Sequence, residues 1–344
     1  MSPLLPGGDA LKRLDRPVSA VATPILRAMR GIGRRGSGSL ILRPGGMGDL
    51  ILLQLAVERL GLDPRSFTWM IEQRSAVWAE RAALPSIVYD RSFARTMLSV
   101  ANQFSTVVNS EQRFGLAMAT AAWATGRKGS LVGFDTNLAA SLATTSVEYD
   151  WRDRHELHEF AQLIAAAFGV PVPADLFEVP RRRPSSGRSV VALGGVHAES
   201  RMLDAQTWLW WIRSVAGDQP LDLVHGPGER ELGDELLRIA DGQLTARTGS
   251  FGLTADVIEH AERVITIDGG LVHVASYSGV PADVLFTAGR DRKWAPLGAG
   301  STVHHRDDLP CRPCTVWGQV PPCPIAFACR KDLQLQLRSH PTGT

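Results

Sequence analysis

The chain has 344 residues, 44% of them hydrophobic and 21% charged, with a net charge of +2, the profile of a globular protein long enough for two average domains. So small a net charge gives no case for nucleic acid as a partner. No apolar run reaches membrane-spanning length and the N-terminus lacks the continuous apolar core of a secretory signal, so the expected location is the cytoplasm, where four clustered cysteines suggest a metal sooner than a disulfide framework.

Residues 1–36 form a basic arm. Lys12, Arg13, Arg16, Arg27, Arg30, Arg34 and Arg35 are mixed with Leu, Val, Ile and Met, and Pro17 and Pro24 break the segment into short pieces. Two readings stay open: peripheral contact with the anionic inner face of a membrane, or a partly ordered extension.

Beyond the arm, apolar runs alternate with helical stretches, as in an α/β domain. Strands are expected at 39–43, 67–71, 86–89, 105–109 and 130–133, and helices at 49–60, 73–83, 111–124 and 155–170. "VPRRRPSSGR", 179–188, interrupts this with prolines, serines, glycine and arginines; the linker proper is set at 181–188, between an N-terminal domain at 37–180 and a C-terminal domain at 189–344. The pattern then restarts, with strands at 189–195, 221–226, 263–268 and 282–286 and helices near 204–216, 229–240 and 271–278. Two similar α/β halves imply a cleft between them, and open sheets of this kind bind ligands beyond the C-terminal ends of their strands.

The first motif is "LILRPGGMGDLILLQLAVERL", 40–60. Gly45, Gly46 and Gly48 form a turn between a strand and a helix, a place where free N–H groups and the helix dipole usually favour an anion. Asp49 follows the last glycine and would repel one. It is either an N-terminal helix residue or a base aimed into the cleft. A dinucleotide site fits poorly, although Glu72 closes the second strand where a ribose-binding acid would sit. Ile51 occupies the place of the third glycine, and Asp49 points charge at the pyrophosphate position.

The second half carries "HGPGERE", 225–231, with Glu229 at a helix start, and "ITIDGGLVHVASYSGVP", 265–281. There Asp268, Gly269 and Gly270 precede a helix whose first turn holds His273. The glycines permit close approach to the backbone, the helix start offers N–H donors, and His273 can add a hydrogen bond or a charge, which together suit a diphosphate.

"ILRPGGMGDLIL", "GPGERE", "IDGGLVHVASYSGVP" and "GRDRKWAPLG" occur in the order found in glycosyltransferase family 9, the ADP-heptose heptosyltransferases of bacterial surface polysaccharides, which the chain resembles over about residues 39–330. The resemblance implies an α/β fold of GT-B type, two Rossmann-like domains facing across a cleft, and inverting, metal-independent transfer from a nucleotide sugar, ADP-heptose first. Asp49 matches the family's proposed catalytic base, whose carboxylate would take the proton of an acceptor hydroxyl. Gly270, the helix start at 271 and His273 match the diphosphate turn, and Glu229 an acid that contacts the nucleoside. The acceptor is expected to be a lipopolysaccharide core, another glycan, lipid-linked or not, or a protein.

The chain departs from the family in two places. Asp268, Gly269, Gly270 replace the usual Asp-Thr-Gly, which removes a hydroxyl donor. Family members often carry Lys, one residue, Trp, Pro after the first strand of the second domain, whereas "AESRMLDAQTW" here offers Arg201, Leu203 and Asp204. Arg201 can supply the positive charge, but its planar fork prefers two-point phosphate contact.

Cys311, Cys314, Cys323 and Cys329 lie in one compact stretch, spacing that lets four thiolates converge on a tetrahedral ion in a loop with few apolar residues to order it. Some family 9 members, notably those that modify autotransporter proteins, have a C-terminal four-cysteine iron site. A structural zinc or iron is expected, with free thiols or disulfides as the alternatives, and no cofactor for catalysis. His155 and His158 suit surface or capping roles. Arg290, Arg292 and Lys293 suit either ligand contact or a solvated loop above Trp294, and Trp208, Trp210 and Trp211 suit packing of helix on sheet. Rival readings are an NAD-dependent oxidoreductase and a non-catalytic protein that binds a sugar nucleotide.

Overall fold

In a computed structural model of the chain, residues 7–29, 32–194, 199–316, 320–331, 333 and 337–342 are described. They divide into two compact units, residues 1–150 with 156–176, and residues 151–155 with 177–344.

The first unit contains α1 (Gly7–Met29), β1 (Ser39–Arg43), α2 (Met47–Arg59), β2 (Thr68–Ile71), α3 (Ala76–Arg81), β3 (Ser86–Val88), α4 (Phe93–Val100), β4 (Phe104–Asn109), α5 (Gly115–Ala124), β5 (Thr125–Phe134), β6 (Thr145–Val147) and α6 (Glu156–Phe168). Its six strands are all parallel, in the order β3-β2-β1-β4-β5-β6. This is the doubly wound dinucleotide-binding order, with its topological switch between β1 and β4. Helix α2 packs against α6, and every residue from Leu50 to Val57 is buried. That explains its apolar composition all round rather than on one stripe.

The second unit repeats the plan with β7 (Val190–Ala192), α7 (Ala205–Ala216), β8 (Leu221–Val224), α8 (Arg230–Ile239), β9 (Leu244–Ala246), α9 (Phe251–Glu259), β10 (Val264–Ile267), α10 (Gly270–Tyr277), β11 (Ala282–Leu285), α11 (Asp291–Trp294) and β12 (Thr302–Arg306). β13 (Leu337–Pro341) adds an antiparallel edge. The order is β13-β12-β11-β10-β7-β8-β9, so the switch falls between β7 and β10. Asp204 caps α7, accepting a 2.7 Å bond from the Thr207 N–H, and Trp208 and Trp211 are fully buried in the core cluster, with Trp210 partly buried against it.

Two sequence expectations are corrected. Within the arm, Gly7–Met29 form one helix rather than short pieces, and tertiary contacts outweigh its prolines. Asp15 and Ser19 are buried, α1 packs against α5, and the Asp15 carboxylate accepts the Leu116 N–H at 2.7 Å, capping the first turn of α5. The linker is docked, and the unit boundary lies at 176/177. Arg181 donates to the Ala261 carbonyl. Arg182 donates to the Tyr277 carbonyl at 2.6 Å and stacks on the Tyr277 ring, and Arg188 bonds Asp222 at 3.0 Å.

Across β11, β12 and β13, Asp283 Oδ1 lies 2.8 Å from His304 Nε2, and His304 Nδ1 lies 2.9 Å from Ser339 Oγ. Arg263 donates to Asp283 Oδ2 at 2.6 Å. Burial resists ionisation of Asp283, but the bonds from His304 and Arg263 overcome it and hold the carboxyl below its ordinary value of 3.8. A carboxyl depressed in the folded state stabilises at pH above its unfolded value and loses that contribution as pH falls through the folded one. Acid unfolding should therefore steepen below about pH 4, and Asp283→Asn should flatten that limb. Thermal melts of both proteins at stepped pH would check this.

Candidate active site

The glycine turn runs from β1 into α2, at the switch of the first sheet. Gly45 has φ +113°, a conformation that disfavours side chains, and a Cβ there would sit 3.1 Å from Arg43 Nη2. The Gly45 carbonyl is held by Ser75 Oγ at 3.0 Å and Arg74 Nε at 3.1 Å. Gly46 is the residue preceding α2, while Gly48 and Asp49 lie inside its first turn. An acid there is favoured by the helix dipole.

Asp49 is also paired. Arg43 Nη2 contacts Asp49 Oδ2 at 2.6 Å, with the Asp49 side chain 27% exposed and that of Arg43 5%. Arg43 also donates to the Ser110 carbonyl at 2.9 Å and lies over the Phe160 ring. Burial works against its charge, yet Asp49, Glu111, Glu156 and Tyr149 hold the guanidinium above its ordinary value. Glu111, fully enclosed, is pushed up by burial against the pull of Arg43 and of the Arg113 and Phe114 N–H groups. Glu156 accepts from Tyr149 Oη at 2.8 Å and Gln112 Nε2 at 2.6 Å. The result is a fixed carboxylate at the C-terminal edge of the sheet, reached by solvent and backed by a buried cation.

Arg43, Glu111 and Glu156 were missed at the sequence level. The available signal was Arg43 itself, a charge closing an otherwise apolar strand. Glu72, weighed as a ribose ligand, is buried and already engaged. It accepts from Tyr89 Oη at 2.9 Å and pairs with Arg74 at 2.6 Å. A cavity of about 50 Å³ beside the turn, lined by Leu42, Pro44, Tyr89 and Phe114, is too small for a sugar ring.

In the second unit, the segments after β7, β8 and β10 leave the same edge of adjacent parallel strands. Asp268 follows β10, and Arg201 Nη2 lies 3.0 Å from its Oδ2. Arg201 is thus tied to an acid rather than free to meet a phosphate alone. A Cβ on Gly289 would lie 2.1 Å from Asp268 Oδ2, so this glycine makes room for the carboxylate. Gly269 has φ 177°, extended backbone open to any residue, and a Cβ there would meet nothing closer than 3.7 Å. The space above it is therefore open to a ligand. Gly270 opens α10, with His273 buried in its first turn and N–H groups that lack partners within the helix. Glu229 ends a short 3₁₀ turn before α8 and is buried, its Oε2 lying 2.9 Å from where a Gly226 Cβ would be.

The remaining candidates are engaged within this unit. His155 Nε2 lies 3.0 Å from the Ala295 carbonyl. Arg290 donates to the Thr315 carbonyl at 3.0 Å and lies over Trp151, while Lys293 is buried.

None of the four cysteines is paired in a disulfide. Burial and then the charges of Cys314 and Cys323 push Cys329 up to about 11. Cys314 is raised by burial, Cys311 and Cys323. The Phe327 N–H donates to Cys323 Sγ at 3.1 Å. Among the described residues no group of His, Cys, Asp or Glu stands at ligating distance. Thiols that oppose one another's ionisation would have to lose their protons to solvent before they could bind a cation.

Residues 230–322 match the sequence pattern of glycosyltransferase family 9 (heptosyltransferase). The match covers part of the second unit alone. It contains the Asp268–His273 turn and the "GRDRKWAPLG" motif and bears out the family resemblance there, while "ILRPGGMGDLIL" lies outside it. No protein of curated function matches the sequence. Solved structures of like fold include heptosyltransferase WaaC of E. coli with ADP, at 16% identity over 76% of this chain and 90% of that one, with a TM-score of 0.59. The ADP-heptose lps heptosyltransferase II of E. coli matches at 13% identity, 79% and 91% coverage and a TM-score of 0.61. A glycosyl transferase of family 9 from Veillonella parvula matches at 14% identity, 79% and 87% coverage and a TM-score of 0.60. Identities this low establish fold, and the fold is that of the GT-B heptosyltransferases.

Arg43 gives a test of this charge cluster. Arg43→Met removes the cation that faces buried Glu111, so urea unfolding should show a loss of roughly 3–5 kcal/mol. A change under about 1 kcal/mol would mean that the cluster is solvated.

Proposed function

We propose that the protein is an inverting glycosyltransferase that moves heptose from ADP-heptose onto a hydroxyl of a bacterial surface glycan, such as a lipopolysaccharide core, or of a protein. The observation that carries this reading is the family 9 match over the segment with the open Gly269-Gly270 turn and His273. The WaaC structures from E. coli hold ADP and ADP-2-deoxy-2-fluoro heptose, which favours an adenosine diphosphate donor. The NAD reading is disfavoured because Glu72 is engaged by Tyr89 and Arg74.

Each unit supplies one part of the chemistry. Asp49 takes the proton from the acceptor hydroxyl as its oxygen attacks the anomeric carbon from the face opposite the leaving diphosphate, so one displacement inverts the configuration. Arg43 fixes the carboxylate's orientation. The departing ADP gathers charge on its diphosphate, which the N-terminus of α10 and His273 stabilise. With Arg201 paired to Asp268 and the family's hydroxyl donor absent, most phosphate contact falls to backbone N–H groups. Glu229 meets the nucleoside. No metal is needed for this route.

Calorimetry with ADP, UDP, GDP and NAD tests the donor class, and ADP should bind tightest. Asp49→Ala should lower kcat by roughly a hundredfold or more with donor affinity little changed, whereas His273→Ala should chiefly weaken ADP binding. Tight NAD binding with no response to any nucleoside diphosphate would falsify the assignment.

Cys311, Cys314, Cys323 and Cys329 are proposed to hold one structural zinc or iron, whose binding orders residues 311–329 and leaves no open position for catalysis. Protein purified without chelator should contain about one metal per chain. Cys329→Ser should lower the metal content and Tm while any folded fraction stays active. Metal-free protein with four titratable thiols and an unchanged Tm in the variant counts against the centre. The N-terminal helix is proposed to make peripheral contact with an anionic membrane.

A further inference from the structure

Helix α1 has two unlike faces. Asp15, Ser19, Ala22 and Leu26 turn inward, the first two buried and the others packed against the core of the first unit. Leu14, Val18, Val21, Ile25 and Met29 form an outward stripe at helical spacing, with Val21 64% exposed, and Ile32 extends it at 65%. Among the described residues, no helix is long and apolar enough to cross a membrane. A helix with one apolar outer face and basic flanks lies in the plane of an interface instead.

Charge selects the occupant. Residues 10–36 contain seven Lys or Arg and a single acid, Asp15, and that acid is consumed in capping α5. Two copies meeting through this stripe would bring like charges together. An anionic surface would neutralise them.

Beside the C-terminal turns of α1 lies a cavity of about 330 Å³ lined by Arg27, Met29, Ile32, Trp123, Arg127 and Lys128. It combines apolar walls with three cations. Lys128 is held at φ +63°, a conformation costing a non-glycine residue free energy, and such outliers point to local function. The cavity lies at the N-terminal ends of β4 and β5, while Asp49 and Glu111 follow the C-terminal ends of β1 and β4. It is therefore no part of the turn that carries Asp49.

We propose that this cavity receives the phosphate headgroup of an anionic phospholipid while the Leu14–Ile32 stripe enters the acyl boundary. The proposal rests on the peripheral-membrane reading of α1 and adds a defined lipid site to it. Arg27, Arg127 and Lys128 would face the phosphate, and Met29, Ile32 and Trp123 the glycerol and upper acyl carbons. Such an orientation leaves the C-terminal edge of the sheet, where the acceptor must enter, turned away from the bilayer.

Co-sedimentation of the full chain with phosphatidylcholine vesicles, with and without phosphatidylglycerol, tests both levels. The wild type should partition onto the phosphatidylglycerol vesicles only, and less at high salt. Val21→Glu with Ile25→Glu, at exposed positions, should abolish partitioning. Arg127→Glu with Lys128→Glu should weaken it at least roughly tenfold, with an unchanged melt and ADP affinity. If the Arg127/Lys128 variant partitions like wild type while the Val21/Ile25 variant does not, the lipid site is overturned and membrane contact by the stripe stands. If the wild type ignores both vesicles, or forms a dimer that the Val21/Ile25 variant dissolves, both are overturned.

Discussion

A single buried guanidinium organises the first unit. Arg43 ends β1 within a sheet that offers it almost no water, and an isolated cation in such a place would be strongly destabilising. It is tolerated because α2 brings Asp49, the segment after β4 brings Glu111 and the Ser110 carbonyl, and α6 brings Glu156 and the Phe160 ring. Three separate segments must arrive in register. The site is therefore as much a packing constraint as a chemical device, and the glycine at 45 is the concession that lets the arginine pass beneath the turn.

The two units build the same kind of turn with different chemistry. Both place a glycine turn and a helix start at the switch of a doubly wound sheet. The first turn carries a carboxylate backed by a cation; the second carries open backbone, a buried histidine and an acid paired with Arg201. The proposed roles, a base at the first turn and a diphosphate at the second, use that difference.

Much of this was legible in the sequence. β1 coincides with the expected 39–43, and the expected helices after β1, β7, β8 and β10 fall within two residues of those observed, because buried parallel strands and their crossovers leave strong apolar runs. The missed elements are β6, β9, β12 and β13 at or near sheet edges, α4, α9 and α11, and α1. Edge strands such as Thr145–Val147 are short and half exposed, so the alternation that marks a strand is lost. α1 was obscured by Pro17 and Pro24, whose local preference yields to contacts made about a hundred residues away. Arg43 stood in plain view, but its partners come from positions 111 and 156, which no local pattern connects to it. The docking of the linker was not legible because the acceptors of its arginines are mostly carbonyls, and a sequence does not display those.

The placement of α6 bears on the order in which the protein is made. Its residues follow segment 151–155, which belongs to the second unit, yet α6 covers α2 and supplies Glu156 and Phe160 to Arg43. A nascent chain that has completed all six strands of the first sheet still presents the apolar back of α2 and an incompletely neutralised Arg43 to its surroundings. At about 5–20 residues per second, that exposure lasts on the order of seconds, during which ribosome-associated chaperones have their clearest target in this molecule.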